Sequence, residues 1–326
     1  MIKIGVTELE YNKARDAFSA AIREGLECLC IPKEEIELAA KVRELDIKHV
    51  ILGVDHYVGP LYEALSPGGV IARFGIAHDG IDKNLATKKQ LLCTNTPQVL
   101  NDSVAEYTIT LLLAAARHVS EMVQATRNGD WTPMVGKELT TKTLAVIGCG
   151  AIGRRVSRIA SFGLAMKVIG CEAIDTDIGQ MRKDFGFSDV IKDFAEAVAD
   201  ADYLSLHIPS KPDTRHFINR QRLSLLPKRA WLINTARGAI VDETALFEVL
   251  SKGNLAGAAL DVFENEPYVP ASPDKDLRTL DNVIMTPHVG SSTQEACNRI
   301  AERALKNIKL AESQQFKEMD LLNRVV

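Results

Sequence analysis

Residues 143–172, TLAVIGCGAIGRRVSRIASFGLAMKVIGCE, decide the fold of this chain. Residues 144–147 form a short apolar run that ends at a glycine, which is typical of a strand buried on both faces of a parallel sheet. A helix is expected to begin near Ala151, and residues 166–171 have the pattern of the next strand. The stretch therefore predicts a strand, a crossover helix and a second, parallel strand.

Three glycines lie between the first strand and the helix. Gly148, Gly150 and Gly153 match the pattern G-x-G-x-x-G. Its first glycine permits a tight turn, its second lets the backbone approach a pyrophosphate, and its third lets the helix pack against the strand. Ala151 and Ile152 open the helix, so their N–H groups would face the phosphates. This order of elements predicts a dinucleotide site.

The carboxylate of Glu172 indicates which dinucleotide is bound. Glu172 follows Gly153 by 19 positions, close to the separation of about 20 expected for the acid that binds an adenosine ribose. A carboxylate there accepts hydrogen bonds from a free 2′-hydroxyl and repels a 2′-phosphate, and Ala173 and Ile174 add no arginine. The sequence therefore predicts NAD rather than NADP. A glycine turn in another α/β protein is the plainer interpretation of the glycines alone.

The composition excludes several classes of partner. Of the 326 residues, 46% are hydrophobic and 25% are charged, and the net charge is −4. These values suit two globular domains and give no electrostatic basis for binding nucleic acid or an anionic membrane. No apolar run approaches the roughly 18 residues that span a bilayer, and the N-terminus lacks a signal-peptide pattern. We therefore expect a cytoplasmic protein with a small-molecule partner.

The six cysteines mostly lie in apolar runs, so we expect free, buried thiols. Cys28 and Cys30 have C-x-C spacing, which places them on one face of a strand. No histidine-rich segment accompanies them as a zinc site would require, and no metal is predicted.

Short strand-like runs alternate with helix-length segments over the first hundred residues. The runs lie at 2–6, 26–31, 50–52, 70–72 and 91–94, and helices are expected at 12–24 and 34–44. This alternation predicts a parallel sheet covered by helices, in a domain that ends near Pro97. Ser103 and Glu106 fit a capping box that opens a long apolar helix, which we expect to be covered by another domain or subunit.

The alternation continues through the rest of the chain. Six strands are expected at 143–147, 166–171, 203–208, 230–234, 258–261 and 283–285, which suits a full dinucleotide domain. Residues 129–133 have the composition of a surface loop. Ser292 and Glu295 fit a capping box that opens a last helix running to about Ser313. Because the first domain needs covered faces, we expect this helix to cross back to it.

Three segments that follow predicted strands carry further chemical groups. Arg237 lies in NTARG, Asp261, Glu264 and Glu266 lie in DVFENE, and His288 lies in TPHVG. In open parallel sheets, ligands bind outside the carboxyl ends of the strands. Taken singly, a surface arginine, a solvated acidic loop and a structural histidine are the plainer interpretations.

Together these side chains supply what hydride transfer to a 2-keto acid requires. Arg237 offers a planar cation that binds the carboxylate and polarises the carbonyl. His288 offers a proton donor that titrates near neutrality, and NADH would give the hydride. A carboxylate beside His288 would favour the imidazolium, and we assign this role to Glu266.

On these motifs the chain resembles the D-isomer-specific 2-hydroxyacid dehydrogenases, among them phosphoglycerate dehydrogenases and glyoxylate or hydroxypyruvate reductases. The resemblance covers almost the whole length and also includes IARFGIAHDGID at 71–82, TNTP at 94–97, SVAE at 103–106, LDVFENEP at 260–267 and TPH at 286–288. It implies an α/β fold of two Rossmann-like, doubly wound parallel-sheet domains, the first flavodoxin-like and discontinuous, with the active site in the cleft between them. Residues 1–98 with 294–326 would bind substrate, and residues 99–293 would bind NAD.

The resemblance also implies roles for single residues. Arg237, Glu266 and His288 would be catalytic, with Glu266 hydrogen-bonded to the histidine, and Asp261 would hold the nicotinamide carboxamide. Further cofactor contacts would come from His207, Ile208, Pro209, Thr214, Thr235, Ala236, Arg237, His288 and Gly290. The substrate would meet Gly75, Ile76, Ala77, Asn101, Arg237 and His288. A homodimer joined through the NAD-binding domains is expected.

Two departures bear on the substrate. Where relatives commonly have Gly-x-Gly-x-Asp, this chain has Gly75-Ile-Ala77-His78-Asp79, so the carboxylate loop is expected to differ in shape. Residues 53–57 read GVDHY, where phosphoglycerate dehydrogenases tend to have an arginine, which makes a phosphorylated substrate less expected.

Other activities share this fold. An NAD-binding corepressor-like protein is compatible with Arg237, Glu266 and His288, although no partner-binding extension is evident. Formate dehydrogenases have glutamine where Glu266 stands. Phosphite dehydrogenases keep a similar arginine, glutamate and histidine, so phosphite oxidation stays an alternative.

Overall fold

A computed structural model describes residues 1–323 of the chain. They form two compact units, one made of Met1–Leu100 and the chain from Ser292 onward, the other of Asn101–Ser291. Each unit has one sheet whose neighbouring strands pair in parallel, with helices between the strands. The predicted fold class of two doubly wound α/β units is confirmed.

The sheet of the first unit has five strands in the order β2-β1-β3-β4-β5. They are β1 (Ile2–Thr7), β2 (Leu26–Ile31), β3 (His49–Leu52), β4 (Val70–Arg73) and β5 (Leu92–Thr94). This is the flavodoxin-like order, in which the chain reverses direction across the sheet between β1 and β3. Ligand sites in such sheets lie at the carboxyl ends of the strands, where the loop after Arg73 begins.

Helices α1 to α5 and a C-terminal helix cover this sheet. They are α1 (Glu8–Lys13), α2 (Arg15–Ala20), α3 (Glu35–Glu44), α4 (Pro60–Ala64), α5 (Lys83–Lys88) and the C-terminal helix (Gln294–Glu312), with short 3₁₀ turns at Ala21–Glu24 and Phe316–Glu318. The C-terminal helix contacts β4, α1 and α2, which accounts for the discontinuous sequence of this unit.

Two expectations about helix boundaries in this unit are wrong. The expected helix at 12–24 begins earlier, at Glu8, and breaks at Ala14, whose backbone leaves the helical region at φ −137°. The C-terminal helix begins one residue later than the Ser292 capping box requires. Thr293 is its cap, because the Thr293 hydroxyl accepts the N–H of Ala296 at 3.2 Å.

The sheet of the second unit has seven strands in the order β12-β11-β10-β9-β6-β7-β8. They are β6 (Thr143–Ile147), β7 (Lys167–Cys171), β8 (Asp189–Ile191), β9 (Tyr203–Leu206), β10 (Trp231–Asn234), β11 (Gly257–Leu260) and β12 (Val283–Met285). Counted from β6, this is the Rossmann order with one added strand. The expectation of six strands missed β8, an edge strand of three residues that opens with an exposed aspartate.

Helices α6 to α12 cover the second sheet. They are α6 (Asn101–Arg117), α7 (Val119–Arg127), α8 (Ala151–Arg158), α9 (Ile178–Phe185), α10 (Phe194–Val198), α11 (Arg220–Leu223) and α12 (Glu243–Ser251), with a π turn at Ile159–Gly163 and 3₁₀ turns at Gly238–Ile240 and Leu277–Thr279. The predicted capping box at Ser103 and Glu106 is wrong, since α6 begins at Asn101 and Ser103 is buried within its first turn. Helix α6 packs on α8, β10 and β11.

Both faces of the second sheet are buried. Along β6, Leu144 and Val146 belong to one hydrophobic cluster, and Ala145 and Ile147 belong to another on the opposite face. Successive side chains of a strand point to opposite faces, so a strand covered on both sides needs an unbroken apolar run. Strand β6 therefore leaves polar chemistry to the loop that follows it.

All six cysteines carry thiols that form no disulfide. The expectation that they are buried is wrong for Cys30, which is exposed, and for Cys28, which is half-buried, because β2 is an edge strand of its sheet. Within residues 1–323, no group of three or more His, Cys, Asp or Glu side chains could hold a metal ion. None of the helices in this described part combines the length and hydrophobicity needed to cross a membrane.

Candidate active site

The glycine loop after β6 has the geometry of a phosphate-binding turn. Gly148 has φ +94°, and a β-carbon there would lie 2.8 Å from the His207 carbonyl carbon and 2.9 Å from an Ile208 side-chain carbon. A β-carbon on Gly153 would lie 2.2 Å from the Gly148 carbonyl oxygen. Both positions require glycine for close packing, whereas a β-carbon on Gly150 would contact nothing within 4 Å. The middle glycine therefore borders open space.

Helix α8 begins directly after this open space, with Ala151 and Ile152 in its first turn. Gly150 is the N-cap and supplies no side chain to the free N–H groups of that turn. Such N–H groups and the helix dipole attract an anion. The loop and the helix end together fit a pyrophosphate.

Glu172 lies at the end of β7, beside the glycine loop. Strands β6 and β7 pair so that Ile147 is opposite Cys171. The carboxylate of Glu172 accepts the N–H of Cys149 and that of Ala173, each at 2.9 Å. These bonds fix a half-buried carboxylate where the ribose of a dinucleotide is expected.

The loop after β9 contributes the predicted adenosine-side residues. The N–H of His207 donates to the Ile147 carbonyl at 2.7 Å, which places His207 and Ile208 beside the glycine turn. The hydroxyl of Thr214 donates to the Pro209 carbonyl at 2.7 Å and accepts the Lys211 N–H at 2.8 Å. Thr214 thus closes the loop that begins at Pro209.

The loop after β10 presents Arg237. Asn234 is buried, and its side chain accepts the Ala236 N–H at 3.0 Å and donates to the Arg237 carbonyl at 2.9 Å. The Thr235 hydroxyl bonds to that of Thr108 on α6 at 2.8 Å. A β-carbon on Gly238 would lie 1.8 Å from the Phe263 carbonyl carbon, so the loop lies directly against the loop after β11.

Asp261, at the end of β11, holds the loop that carries the histidine. Its carboxylate is buried and accepts the Thr286 hydroxyl at 2.7 Å, the Val289 N–H at 2.9 Å and the Gly290 N–H at 2.8 Å. The Asp261 carbonyl accepts the N–H of His288 at 2.8 Å. His288 has φ +54°, a conformation uncommon outside glycine, and these bonds hold it there.

Glu266 and His288 form a hydrogen-bonded pair. Nδ1 of His288 lies 2.7 Å from Oε2 of Glu266, and Oε1 of Glu266 accepts the Phe263 N–H at 3.0 Å. Burial acts to raise the pKa of Glu266, but the hydrogen bond and charge of His288, the Phe263 N–H and the charge of Arg237 outweigh it. The pKa of Glu266 is therefore lowered, and its carboxylate is ionised at neutral pH.

Residues 109–290 match the family model described as D-isomer specific 2-hydroxyacid dehydrogenase, NAD binding domain. This match takes in more than half of the chain and all of the strand-end loops described above. The chain belongs to the D-isomer specific 2-hydroxyacid dehydrogenase family. This dehydrogenase therefore carries the family's NAD-binding domain, and the predicted family, enzyme class and cofactor are confirmed.

Known proteins similar to this dehydrogenase include two archaeal enzymes. Glyoxylate reductase of Thermococcus litoralis is 38% identical, over 83% of this chain and 82% of that enzyme. D-3-phosphoglycerate dehydrogenase of Methanocaldococcus jannaschii is 40% identical over 80% of this chain, and the match spans 48% of that longer enzyme. The crystal structure of the TT0316 protein from Thermus thermophilus is 30% identical with a TM-score of 0.83, and the match covers 100% of both chains.

The remaining predicted residues lie in two places. Asn101 is the first residue of α6 in the second unit and is buried. Gly75, Ile76 and Ala77 form the loop after β4 in the first unit, where Gly75 has φ +138°. The loop of Gly75, Ile76 and Ala77 thus lies at a strand end of the first unit, whereas Asn101 lies at a helix start of the second.

Sequence reasoning missed a carboxylate pair behind the acidic loop. Oε1 of Glu243 accepts the N–H of Glu264 at 2.6 Å, and Oε1 of Glu264 accepts the N–H of Glu243 at 3.3 Å. Oε2 of Glu264 also lies 2.9 Å from Nε2 of His216 and 3.2 Å from Arg215. Burial raises the pKa of Glu243 to about 7. The order of residues around Glu243 offers no sign of this pairing, which depends on a loop 21 positions away.

Proposed function

We propose that this enzyme interconverts a short 2-keto acid and the D-2-hydroxy acid, with His288 as the acid and base, Arg237 as the substrate-binding cation and Glu266 as the group that tunes the histidine. The observation that carries the proposal is the 2.7 Å contact between Nδ1 of His288 and Oε2 of Glu266. The lowered pKa of Glu266, to which the charge of Arg237 contributes, supports the same grouping.

Each side chain would have one task in the reduction. NADH, when bound, supplies the hydride to the carbonyl carbon. Arg237 binds the substrate carboxylate through its fork of N–H donors and favours negative charge on the carbonyl oxygen. His288 gives its Nε2 proton to that oxygen, so one hydride and one proton convert the ketone to an alcohol. Glu266 stabilises the imidazolium beforehand and accepts no proton in the reaction.

The substrate is proposed to lack a phosphate. Asp55 follows β3 where phosphoglycerate dehydrogenases tend to have an arginine, and its carboxylate lies 3.2 Å from Lys33 Nζ. A carboxylate at this position repels a phosphate dianion, and the Lys33 cation beside it is already paired with that carboxylate. Glyoxylate, hydroxypyruvate and pyruvate are the substrates that this favours.

NADH is proposed as the preferred form of the cofactor. Glu172 presents a carboxylate that is held by two backbone N–H groups beside the glycine loop. Such a fixed charge accepts the ribose 2′-hydroxyl and repels a 2′-phosphate. Residues 99–293 would form the NAD-binding domain, and residues 1–98 with 294–326 the substrate-binding domain.

A homodimer joined through the NAD-binding domains is proposed as the working form. None of the side chains of α7 is buried, although Val119 and Val123 are apolar. The segment after it exposes 86% of Trp131 and 93% of Val135. A run of exposed apolar side chains supports an interface with a second copy. Sedimentation of the unaltered protein should then show a dimer, and Val135→Asp should convert it to monomers. A monomeric unaltered protein would contradict this proposal.

The cytoplasm is proposed as the location of the protein, because six cysteines that form no disulfide suit its reducing conditions.

A substrate panel tests the activity. NADH consumption would be measured with glyoxylate, hydroxypyruvate, pyruvate, longer 2-keto acids and 3-phosphohydroxypyruvate, and phosphite oxidation with NAD would be measured beside them. His288→Ala should lower the reduction rate by a factor of about 10² to 10⁴ while NADH still binds. Tight NADH binding with no activity on any compound would instead favour a binding protein of the corepressor kind, and an unimpaired His288→Ala would remove the histidine from the mechanism.

A further inference from the structure

A buried arginine lies beneath the loop after β4. Arg73 is the last residue of β4 and is 5% exposed. Its Nε donates to the Ala77 carbonyl at 2.8 Å, and its Nη1 donates to the carbonyls of Leu52 at 3.0 Å and Phe74 at 2.7 Å. A cation out of water needs such acceptors, and the carbonyls of Phe74 and Ala77 belong to the loop that immediately follows it.

Four successive carbonyls of this loop are held by the protein. Arg73 binds those of Phe74 and Ala77. The Gly75 carbonyl accepts the Thr96 N–H at 3.0 Å, and the Ile76 carbonyl accepts the Asn95 side-chain amide at 2.6 Å. The directions of the intervening peptide planes are therefore fixed.

These bonds decide where the loop N–H groups point. In a planar trans peptide the N–H points opposite to the carbonyl of the preceding residue. With the carbonyls of Gly75 and Ile76 turned toward Thr96 and Asn95, the N–H groups of Ile76 and Ala77 must point the other way. Neither N–H donates to an acceptor within residues 1–323, and both residues are half-buried rather than sealed in the core.

Two adjacent N–H groups without acceptors form an anion-binding concavity. Buried backbone N–H groups are normally paired, so an unpaired couple beside a ligand loop indicates an external acceptor. The guanidinium adds positive charge behind the loop, since a β-carbon on Gly75 would lie 3.7 Å from Arg73 Cζ. Gly75, with φ +138°, permits the turn that brings the loop over the arginine.

We propose that Asn95 is a positioning residue that turns the N–H of Ala77 toward the substrate carboxylate, and that Arg73 supports it by holding the two flanking peptide planes of the loop through the Phe74 and Ala77 carbonyls. This inference rests on the proposed 2-keto acid reductase activity. Arg73 itself stays beneath the loop, acts through the backbone and sets affinity for the carboxylate. Nicotinamide chemistry lies with residues of the other unit and should be affected little.

Two variants test the positioning role. Arg73→Lys keeps the charge but loses the fork that binds three carbonyls at once. Asn95→Asp replaces the amide donor on the Ile76 carbonyl with a carboxylate that repels it, at a half-buried site where folding is less at risk. Each should raise KM for glyoxylate and Kd for the unreactive analogue oxamate by about tenfold or more, as expected from weakened bonds to a charged group. The kcat value and the Kd for NADH should change less than about threefold.

The matched control is Lys3→Met. Nζ of Lys3 donates to the Leu45 carbonyl at 2.8 Å, so this variant also removes a cation from a backbone carbonyl of the same unit. Lys3 lies near the start of β1, whereas the Gly75 loop follows the end of β4, and parallel strands place these at opposite edges of the sheet. KM for glyoxylate and Kd for oxamate should be unaltered in this control.

The unaltered protein separates the two proposals. If it reduces no 2-keto acid, the proposed function fails and this inference fails with it. If it is active, and Asn95→Asp folds but leaves KM for glyoxylate and Kd for oxamate within twofold of its values, the positioning role is overturned although the activity stands. A loss of kcat at unaltered KM would equally overturn it. Asn95→Asp decides the matter should Arg73→Lys not fold.

Discussion

Nδ1 of His288 and Oε2 of Glu266 are 2.7 Å apart although the two residues are separated by 22 positions in the chain. An ionised carboxylate only accepts hydrogen bonds, so Nδ1 of the histidine must carry a proton. The other nitrogen, Nε2, then gains or loses a proton as the imidazole changes state. Adjacent parallel strands β11 and β12 end at the same edge of the sheet, and this is what brings the pair together.

The cofactor preference is tested at Glu172. Glu172→Ala removes the carboxylate that accepts the Cys149 and Ala173 N–H groups and that would meet the ribose 2′-hydroxyl. The ratio of kcat/KM for NADH to that for NADPH should fall by about tenfold or more, because charge repulsion of the 2′-phosphate is lost. Steady-state rates with both cofactors measure this. Equal kcat/KM values in the unaltered enzyme would refute the assignment.

The contact between the loops after β10 and β11 is tested at Gly238. A β-carbon there would lie 1.8 Å from the Phe263 carbonyl carbon and 2.4 Å from the Glu264 nitrogen. Backbone atoms cannot move aside cheaply, so Gly238→Ala should lower the free energy of unfolding by about 1 to 3 kcal/mol and displace Arg237 from Glu266. The urea midpoint and kcat/KM should both fall.

Gly163→Ala is the control for this steric prediction. A β-carbon on Gly163 meets nothing within 4 Å, and the residue is exposed. Its stability and activity should match those of the unaltered enzyme. Equal behaviour of the two alanine variants would show that the Gly238 contact is not needed.

The sequence predicted those parts of the candidate site whose positions follow from the order of strands and turns along the chain. The glycine loop, the acid after β7 and the polar residues at strand ends follow from the alternation of apolar runs and turns, because ligands gather at one edge of a parallel sheet. The pairing of Glu266 rather than Glu264 with His288 was also expected, from the chemistry and the resemblance. Glu264 is instead occupied by His216, Arg215 and the Glu243 N–H.

What the sequence did not predict depends on partners far along the chain. Arg73 follows an apolar run like any strand end, and its role becomes visible only when the Ala77 and Leu52 carbonyls are seen around it. The start of the C-terminal helix was missed by one residue because Ser292 and Thr293 are both able to cap it. The starts at Glu8 and Asn101 precede the expected ones by more, since no capping pattern marks them. Strand β8 is too short to stand out from a loop.

The buried Glu243 predicts a pH dependence of stability. Burial raises its pKa from 4.5 to about 7. A carboxyl with a raised folded-state pKa stabilises the fold in its protonated form, so this contribution is full below about pH 4.5 and is lost as the pH rises through about 7. Glu243→Gln keeps an acceptor for the Glu264 N–H without a charge. As the pH is raised from 5 to 8, the free energy of unfolding of this variant should rise by on the order of 2 to 3 kcal/mol relative to that of the unaltered enzyme.

Urea unfolding at both pH values measures the effect of Glu243→Gln. Glu196→Gln, at an exposed position of α10, is the matched control and should show no such gain. If the free energy of unfolding changed by the same amount between the two pH values in Glu243→Gln and in the unaltered enzyme, the prediction would be contradicted.

The last prediction concerns the pH dependence of the two reaction directions. Burial tends to raise the pKa of Glu266, but the His288 hydrogen bond and charge, the Phe263 N–H and the Arg237 charge lower it overall, so an ionised carboxylate lies 2.7 Å from the imidazole. Reduction needs the protonated donor, and its rate should hold at neutral pH and fall on the alkaline side. Oxidation needs neutral imidazole, and its rate should rise over the same interval.

Glu266→Gln and Glu264→Gln decide which carboxylate is responsible. Glu266→Gln removes the negative charge that holds the proton on His288, so both midpoints should move to lower pH. Glu264 bonds to His216 and to the Glu243 N–H instead, and Glu264→Gln should leave the midpoints where they are. Rates of both directions, measured from pH 5 to about pH 10 for the unaltered enzyme and the two variants, give the midpoints to be compared. If the Glu264 variant moved the midpoints and the Glu266 variant did not, the carboxylate that acts on His288 would have to be Glu264. That result would disagree with the 2.7 Å contact between His288 and Glu266.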